Sequence, residues 1–278
     1  MNSNLPLCCT PAAFHMFSRQ VSSLESSDAL LQGAIALSMH EMDTIDASDI
    51  DKRLQSYVDT IRKRVRGSQP QALLAHLHQL LFEEESFIGN AEDYLAAANS
   101  YLPAVLESKR GLPITLSLIY KVVAERLGLQ VAGIGLPGHF LVSVESEEMP
   151  MLVDTFAGGR VLTAFEAHER LREMFGPETD WSDEYLQPVS NRQWLTRMLQ
   201  NLLNVFGSAG RYNDVAAVLE MEMLLWPNQN HLQRDLALVL ARIGMSEPAS
   251  MWLNRYLQHN PDDPQRQDLE QLLEALSA

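Results

Sequence analysis

The sequence predicts an α+β protein with a helical N-terminal part, a core built on a small antiparallel sheet, and an all-α tail. Three observations carry this. Apolar residues recur at helical spacing in several segments between residues 29 and 127. Four short β-like runs, separated by turn formers, fill residues 129–162. From Ser190 onward every patterned segment is helical again, and its apolar and turn positions repeat at a fixed interval. Helices followed by a meander of short strands are the signature of α+β architecture.

Residues 1–24 are rich in Ser, Pro and Asn, show little periodicity, and are expected to be a flexible arm. A helix over 29–40 carries Leu30, Leu31, Ala34, Ile35 and Met39, with Ser27 and Asp28 as caps. The next, 49–65, places Leu54, Val58, Ile61 and Val65 on one face, acidic at its start and basic at its end, as the helix dipole prefers. A third, 69–84, opens at Pro70 and bears Leu73, Leu74, Leu77, Leu80 and Leu81. Residues 90–103 read as a loop entering a short helix that ends near Ser108. Gly111-Leu112-Pro113 interrupts the chain, and a helix from Pro113 buries Leu116, Tyr120, Val123, Ala124 and Leu127 before stopping at Gly128. The β-like runs are 129–135, 139–144, 151–154 and 160–162, with a turn around Glu147 and Pro150, and a helix follows over 164–174.

In the tail, Leu202/Leu236, Val205/Val239, Gly210/Gly244, Leu219/Leu253 and Pro227/Pro261 each stand 34 residues apart. That is the tetratricopeptide period, in which antiparallel helix pairs stack. Gly210 and Gly244 fall where a turn within the repeat needs a left-handed residue, Pro227 and Pro261 where the second helix ends, and 268–276 reads as a capping helix. The division is therefore an arm at 1–24, an α+β domain at 25–187 and helical repeats at 188–278.

Of 278 residues, 46% are hydrophobic and 21% charged, enough apolar content for a real core. The net charge of −15 opposes binding to phosphate backbones and anionic lipid, so neither nucleic acid nor membrane is an expected partner. The basic run Arg62-Lys63-Arg64-Val65-Arg66 falls in a helical pattern and reads as a solvated face. No 18-residue apolar stretch exists, and the first twenty residues lack the layout of a secretory signal. The two cysteines, Cys8 and Cys9, are adjacent and can form neither a disulfide framework nor a four-ligand zinc site, which points to a reducing, cytoplasmic home.

One ordered set in the middle of the chain could carry chemistry: a helix opening at Gly111-Leu112-Pro113, then Gly138-His139-Phe140, then Val153-Asp154-Thr155. Acyl transfer through a thiol needs a nucleophile at a helix N-terminus, where the dipole stabilises thiolate and oxyanion. It also needs a histidine to take the proton and a carboxylate to fix the imidazole. Strands at 139–144 and 151–154, joined by one turn, would set His139 and Asp154 side by side. A metal site at the same pair has too few ligands for zinc, and no cofactor is expected.

Asn99-Ser100-Tyr101-Leu102, Arg110-Gly111-Leu112-Pro113-Ile114, Leu116-Ser117-Leu118-Ile119-Tyr120, Pro137-Gly138-His139-Phe140 and Asp154-Thr155-Phe156-Ala157-Gly158-Gly159 together resemble the bacterial SirB-type proteins. That family joins a transglutaminase-like domain to C-terminal tetratricopeptide repeats. The resemblance spans residues 28–278 and implies a papain-like α+β core in a cytoplasmic bacterial protein. His139 matches the histidine of transglutaminase-like enzymes and Asp154 their aspartate, but Pro113 stands where those enzymes begin the central helix with cysteine. Ser117 lies one helical turn further on, about 6 Å along the axis, and its hydroxyl is expected to bond the Pro113 carbonyl. Two readings follow. One is a non-catalytic, cysteine-less module that binds a protein or peptide through its repeats or relict cleft. The other is an amide hydrolase or acyltransferase using His139 and Asp154 with water or a substitute nucleophile.

Overall fold

The computed structural model describes residues 5–42, 45–65, 67, 69–146 and 150–277. Arg66 of the basic run and Glu147 of the expected turn lie outside them. Helices α2 (Ser27–Ser38), α3 (Ala47–Arg64) and α4 (Pro70–His78, continued as a π-helical turn over Gln79–Glu84) surround α6 (Pro113–Arg126). The cap of α2 is Ser26, whose side chain accepts the Ala29 N–H, rather than Ser27 or Asp28. Helix α6 is buried at every position from Pro113 to Ala124. Its run of apolar side chains has no polar face, which suits a helix enclosed on all sides.

The expectation of a free arm is corrected by the structure. Residues Pro11–Gln20 form helix α1, with Ala13 and Phe17 fully buried against α2. Pro11 sits in the first turn, where its missing N–H costs nothing, and Ala13 and Phe17 are spaced i, i+4 on one face. The stretch ahead of it is held by Glu220, whose carboxylate accepts the backbone N–H groups of Leu7 (2.5 Å), Cys8 (3.1 Å) and Cys9 (2.8 Å). That grip comes from more than two hundred residues away, so no local pattern could announce it.

A minimal parallel pair, β1 (Ile88–Gly89) and β2 (Arg110–Gly111), flanks the short helix α5 (Leu102–Ser108). The main sheet contains β3 (Val131–Ile134), β4 (Leu141–Val144), β5 (Met151–Asp154), β6 (Arg160–Leu162) and β7 (Pro188–Val189). Its order is β6-β5-β4-β3-β7 with every pair antiparallel, and register facts such as Val142 opposite Val153 fix the two central strands. Helix α7 (Ala164–Phe175) starts in a capping box of Thr163 and Glu166.

Five further helices follow: α8 (Asn191–Ser208), α9 (Tyr212–Leu225), α10 (Asn230–Arg242), α11 (Ser246–His259) and α12 (Arg266–Ser277), each packed on the next. The backbone repeats with the sequence. Gly210 and Gly244 turn at φ +69° and +81°. The residues after them, Arg211 and Met245, have φ/ψ of −84/65° and −87/68°. Their N–H groups close the turns on the carbonyls of Phe206 and Leu240, both at 2.9 Å. Only glycine takes the left-handed turn without strain. Helix α8 also packs on α2 and α6, and α9 on α1, so the tail's first hairpin shares the main core. Among the described residues, no helix is long and apolar enough to cross a membrane.

Candidate functional site

Where α6 begins, several small residues let the chain pass closely. Gly89 and Gly111 pair across β1 and β2, and a Cβ on Gly89 would lie 2.3 Å from the Phe156 ring. Leu112 donates its N–H to the Asn99 carbonyl at 3.1 Å. Asn99 is buried, its Nδ2 donating to the carbonyls of Asp93 (2.6 Å) and Tyr94 (3.2 Å) while its Oδ1 accepts from Asn90 Nδ2 (2.9 Å). With every polar atom engaged, Asn99 fixes the approach to Pro113. The motif Asn99-Ser100-Tyr101-Leu102 is thus a brace for the helix start.

His139 enters β4 from a turn in which Gly138 has φ +66°. Its carbonyl accepts from Arg197 Nη2 on α8 at 2.9 Å, as does that of Leu136. The β4–β5 pairing then brings the imidazole to Asp154, with Nε2 3.0 Å from Oδ2. Asp154 is 1% exposed and His139 6%. The carboxylate is held from three further directions: Oδ1 accepts the N–H groups of Phe156 and Ala157, both at 3.0 Å, and Oδ2 accepts Arg170 Nη2 at 3.1 Å. Burial works to raise the Asp154 pKa, but the His139 contact, the Ala157 N–H and the Arg170 charge outweigh it and hold the group below the usual carboxylate range. An ionised Asp154 has no proton to give, so Nε2 carries the hydrogen of this contact.

The third position is Pro113, whose carbonyl accepts from Thr155 Oγ1 at 3.3 Å. That hydroxyl belongs to the residue after Asp154 and ties the end of β5 to the first turn of α6. Ser117 is fully buried and its Oγ lies 3.0 Å from Thr155 Oγ1. The expected bond from Ser117 to the Pro113 carbonyl is replaced, because Thr155 reaches that oxygen from the sheet and Ser117 pairs with Thr155. Ser117 is not brought to His139. The cysteines lie elsewhere: Cys8 Sγ approaches Met245 Sδ at 3.9 Å, and Cys9 Sγ donates to the Thr10 carbonyl at 3.6 Å.

Sequence reasoning missed Arg170, Arg197, Asn99 and the Thr155 hydroxyl as partners. Thr155 and Asn99 stood inside motifs that had been singled out. Arg170 and Arg197 carried no signal, since each reaches in from a separate helix, Arg170 to the Asp154 carboxylate and Arg197 to the carbonyls of Leu136 and His139. Phe156 completes the surround with its ring edge-on to His139 at 6.1 Å, and Tyr94 meets Phe156 at 6.0 Å. The arrangement is an imidazole held by a carboxylate, with the residue after that carboxylate tied to the first turn of α6.

A helical surround, a central buried helix and an antiparallel sheet bearing a His–Asp pair define a transglutaminase-like protein. A family model described as the transglutaminase-like superfamily matches residues 48–200. The chain belongs to that superfamily and, within it, to the UPF0162 (SirB-type) proteins. It is 34% identical over 236 residues to a UPF0162 protein of Xylella fastidiosa strain 9a5c, covering 84% of each chain. A UPF0162 protein of Vibrio cholerae is 24% identical over 200 residues, covering 72% of this chain and 74% of that one. Human F-box only protein 21 is 25% identical over 240 residues, which is 74% of this chain and 37% of the human protein. No solved structure matches the chain.

Proposed function

We propose that this protein is a cysteine-less transglutaminase-like module that serves as an interaction or regulatory protein in the bacterial cytoplasm and does not perform acyl transfer. The observation that carries this reading is the occupant of the nucleophile position. Pro113 has no attacking atom, its carbonyl is tied to Thr155, and Ser117, one turn further along the helix, is buried in a bond to Thr155. His139 and Asp154 then act as a clasp joining β4, β5 and α7 rather than as a base and its orienter. The 34-residue helical hairpins, read as tetratricopeptide-type repeats, supply the surface for a protein or peptide partner. The net charge of −15 favours that class over nucleic acid or membrane.

The rival reading is supported by one feature: His139 is held by a carboxylate, the arrangement that orients a general base. A panel of peptide, glutamine-amide and ester substrates separates the two. No turnover above background is expected from the purified chain. Turnover that disappears in a folded His139→Ala variant would overturn the proposal and establish a hydrolase.

A further inference from the structure

Away from the His139 site, the outer face of the main sheet is covered in part. Ala167 and Leu171 of α7 cluster there with Ile134, Leu141, Leu152 and Leu162. Beside them lies a hollow of about 1030 Å³, at the upper end of small-ligand pockets. Its floor is one cross-strand row: Ala132 pairs with Ser143, Ser143 with Leu152, and Leu152 with Leu162. Cross-strand partners point to the same face, and the short side chains of Ala132 and Ser143 leave the depth. Leu186 and Pro188 wall the hollow on the β7 side, Thr163 and Ala164 on the β6 side. A smaller cavity of about 360 Å³ shares Leu129, Gln130, Glu145 and Met151 with it.

Among the described residues, the charged side chains lining these two cavities are carboxylates, Glu125 and Glu145. Glu125 is already engaged: its Oε1 accepts Lys121 Nζ, which also donates to the Val131 carbonyl at 2.7 Å. Glu145 stands two residues beyond Ser143, on the same face by alternation, and is exposed at the rim the two cavities share. The start of α7 brings a positive dipole end to the β6 side, and Glu166 in the capping box offsets it. An apolar hollow bordered by an exposed carboxylate complements an apolar body that carries one positive charge. The net charge of −15 attracts such a cation at long range and repels anions. We propose that this hollow binds a small amphiphilic cation, an ammonium on an apolar body, with the body over Ala132 and Ser143 and the ammonium at Glu145. The site is separate from His139 and from the helical repeats, so its test bears on neither turnover nor the protein partner.

The test uses the full chain labelled with ¹³C-methyl methionine and titrated with octylammonium chloride. Saturable shifts of the Met151 methyl are expected, with a Kd of about 1–10 mM, the range ligand efficiency gives a probe of this size. Octanoate, which puts the opposite charge on a similar chain, should bind about tenfold more weakly. Glu145→Gln should weaken octylammonium about threefold and leave the affinity for 1-octanol unchanged. Ala132→Leu, or Ser143→Leu if the first does not fold, fills the hollow and should abolish saturation. Shifts that never saturate, or octanoate bound as tightly as octylammonium, would overturn the proposal. So would an octylammonium Kd unchanged in Glu145→Gln, or saturation that persists in the filled variant.

Discussion

Replacing Asp154 with Asn tests the central clasp by changing one atom. Oδ1 still accepts the N–H groups of Phe156 and Ala157, so the turn after β5 keeps its anchor. Oδ2, which receives both His139 Nε2 and Arg170 Nη2, becomes an amide NH₂. His139 is buried and is expected to adapt by carrying its proton on Nδ1, so that Nε2 accepts from the new amide. A charge-assisted bond becomes a neutral one, a loss of about 1–2 kcal/mol. Arg170, a third exposed, turns to solvent and loses about 0.5–1 kcal/mol. The expected total is about 1.5–3 kcal/mol, read by urea unfolding at pH 7. The lowered Asp154 pKa gives the pH dependence. The wild-type advantage is complete above the unfolded carboxylate value near 3.9 and is lost as pH falls through the lower folded value. The variant and wild type should therefore converge only in acid. Imidazole ¹⁵N shifts supply a second readout: Nε2–H in the wild type and Nδ1–H in the variant. A stability change under about 0.5 kcal/mol, or an unchanged tautomer, would refute the assignment of Asp154 as the group that orients His139.

Pro113→Cys would restore a thiol to the helix start. If the imidazole faces it, iodoacetamide should alkylate it at pH 6.5 about tenfold faster than an ordinary thiol, and His139→Ala should remove the excess. Cys8 and Cys9 should be slow with a disulfide reagent at pH 8, because burial and then the Glu220 carboxylate push them up to about 11 and about 12. Glu220→Gln should speed both by about tenfold, and an unchanged rate would remove Glu220 from that role. Gly159→Ala should cost about 2–4 kcal/mol in urea unfolding, since φ is +79° and a Cβ would lie 2.1 Å from the Phe82 ring. Gly158→Ala, at φ +67° with open space around it, should cost only about 1–2 kcal/mol.

What the sequence disclosed and what it hid divide along a physical line. Periodicity reveals elements that bury one face locally, as α3 does, while caps and breakers bound α2, α6, β5 and β6, and all five stand close to their expected places. The turns at Gly210 and Gly244 were legible because left-handed backbone demands glycine wherever it recurs. Helix α1 was hidden because its ten residues follow a stretch of turn formers and its anchor, Glu220, is remote. Strands β1, β2 and β7 are two residues each, too short for any alternation to register. At the site, His139 and Asp154 were legible as chemical types in order, and the sheet pairs them. The hydroxyl network was not, because Thr155 and Ser117 differ in reach rather than in type.

The helical tail is coupled to the site through its first helix. Trp194 on α8 packs tilted against Phe140, with 4.5 Å between ring centres, and a Cβ on Gly133 of β3 would lie 2.3 Å from the same indole. Leu195 fills the space that a side chain at Gly33 of α2 would need, coming within 2.8 Å of it. Arg197 holds the carbonyls of Leu136 and His139. A cut before residue 188 would therefore strip a fully buried tryptophan from the sheet and the support from the His139 turn. The superfamily match ends at residue 200, inside α8 rather than ahead of it, in keeping with a helix that belongs to the core by packing and to the repeats by sequence. A shift of α9 acts on a neighbour of α8, and α8 reaches the backbone of His139 directly. The repeats and the clasp are thus parts of one packed body.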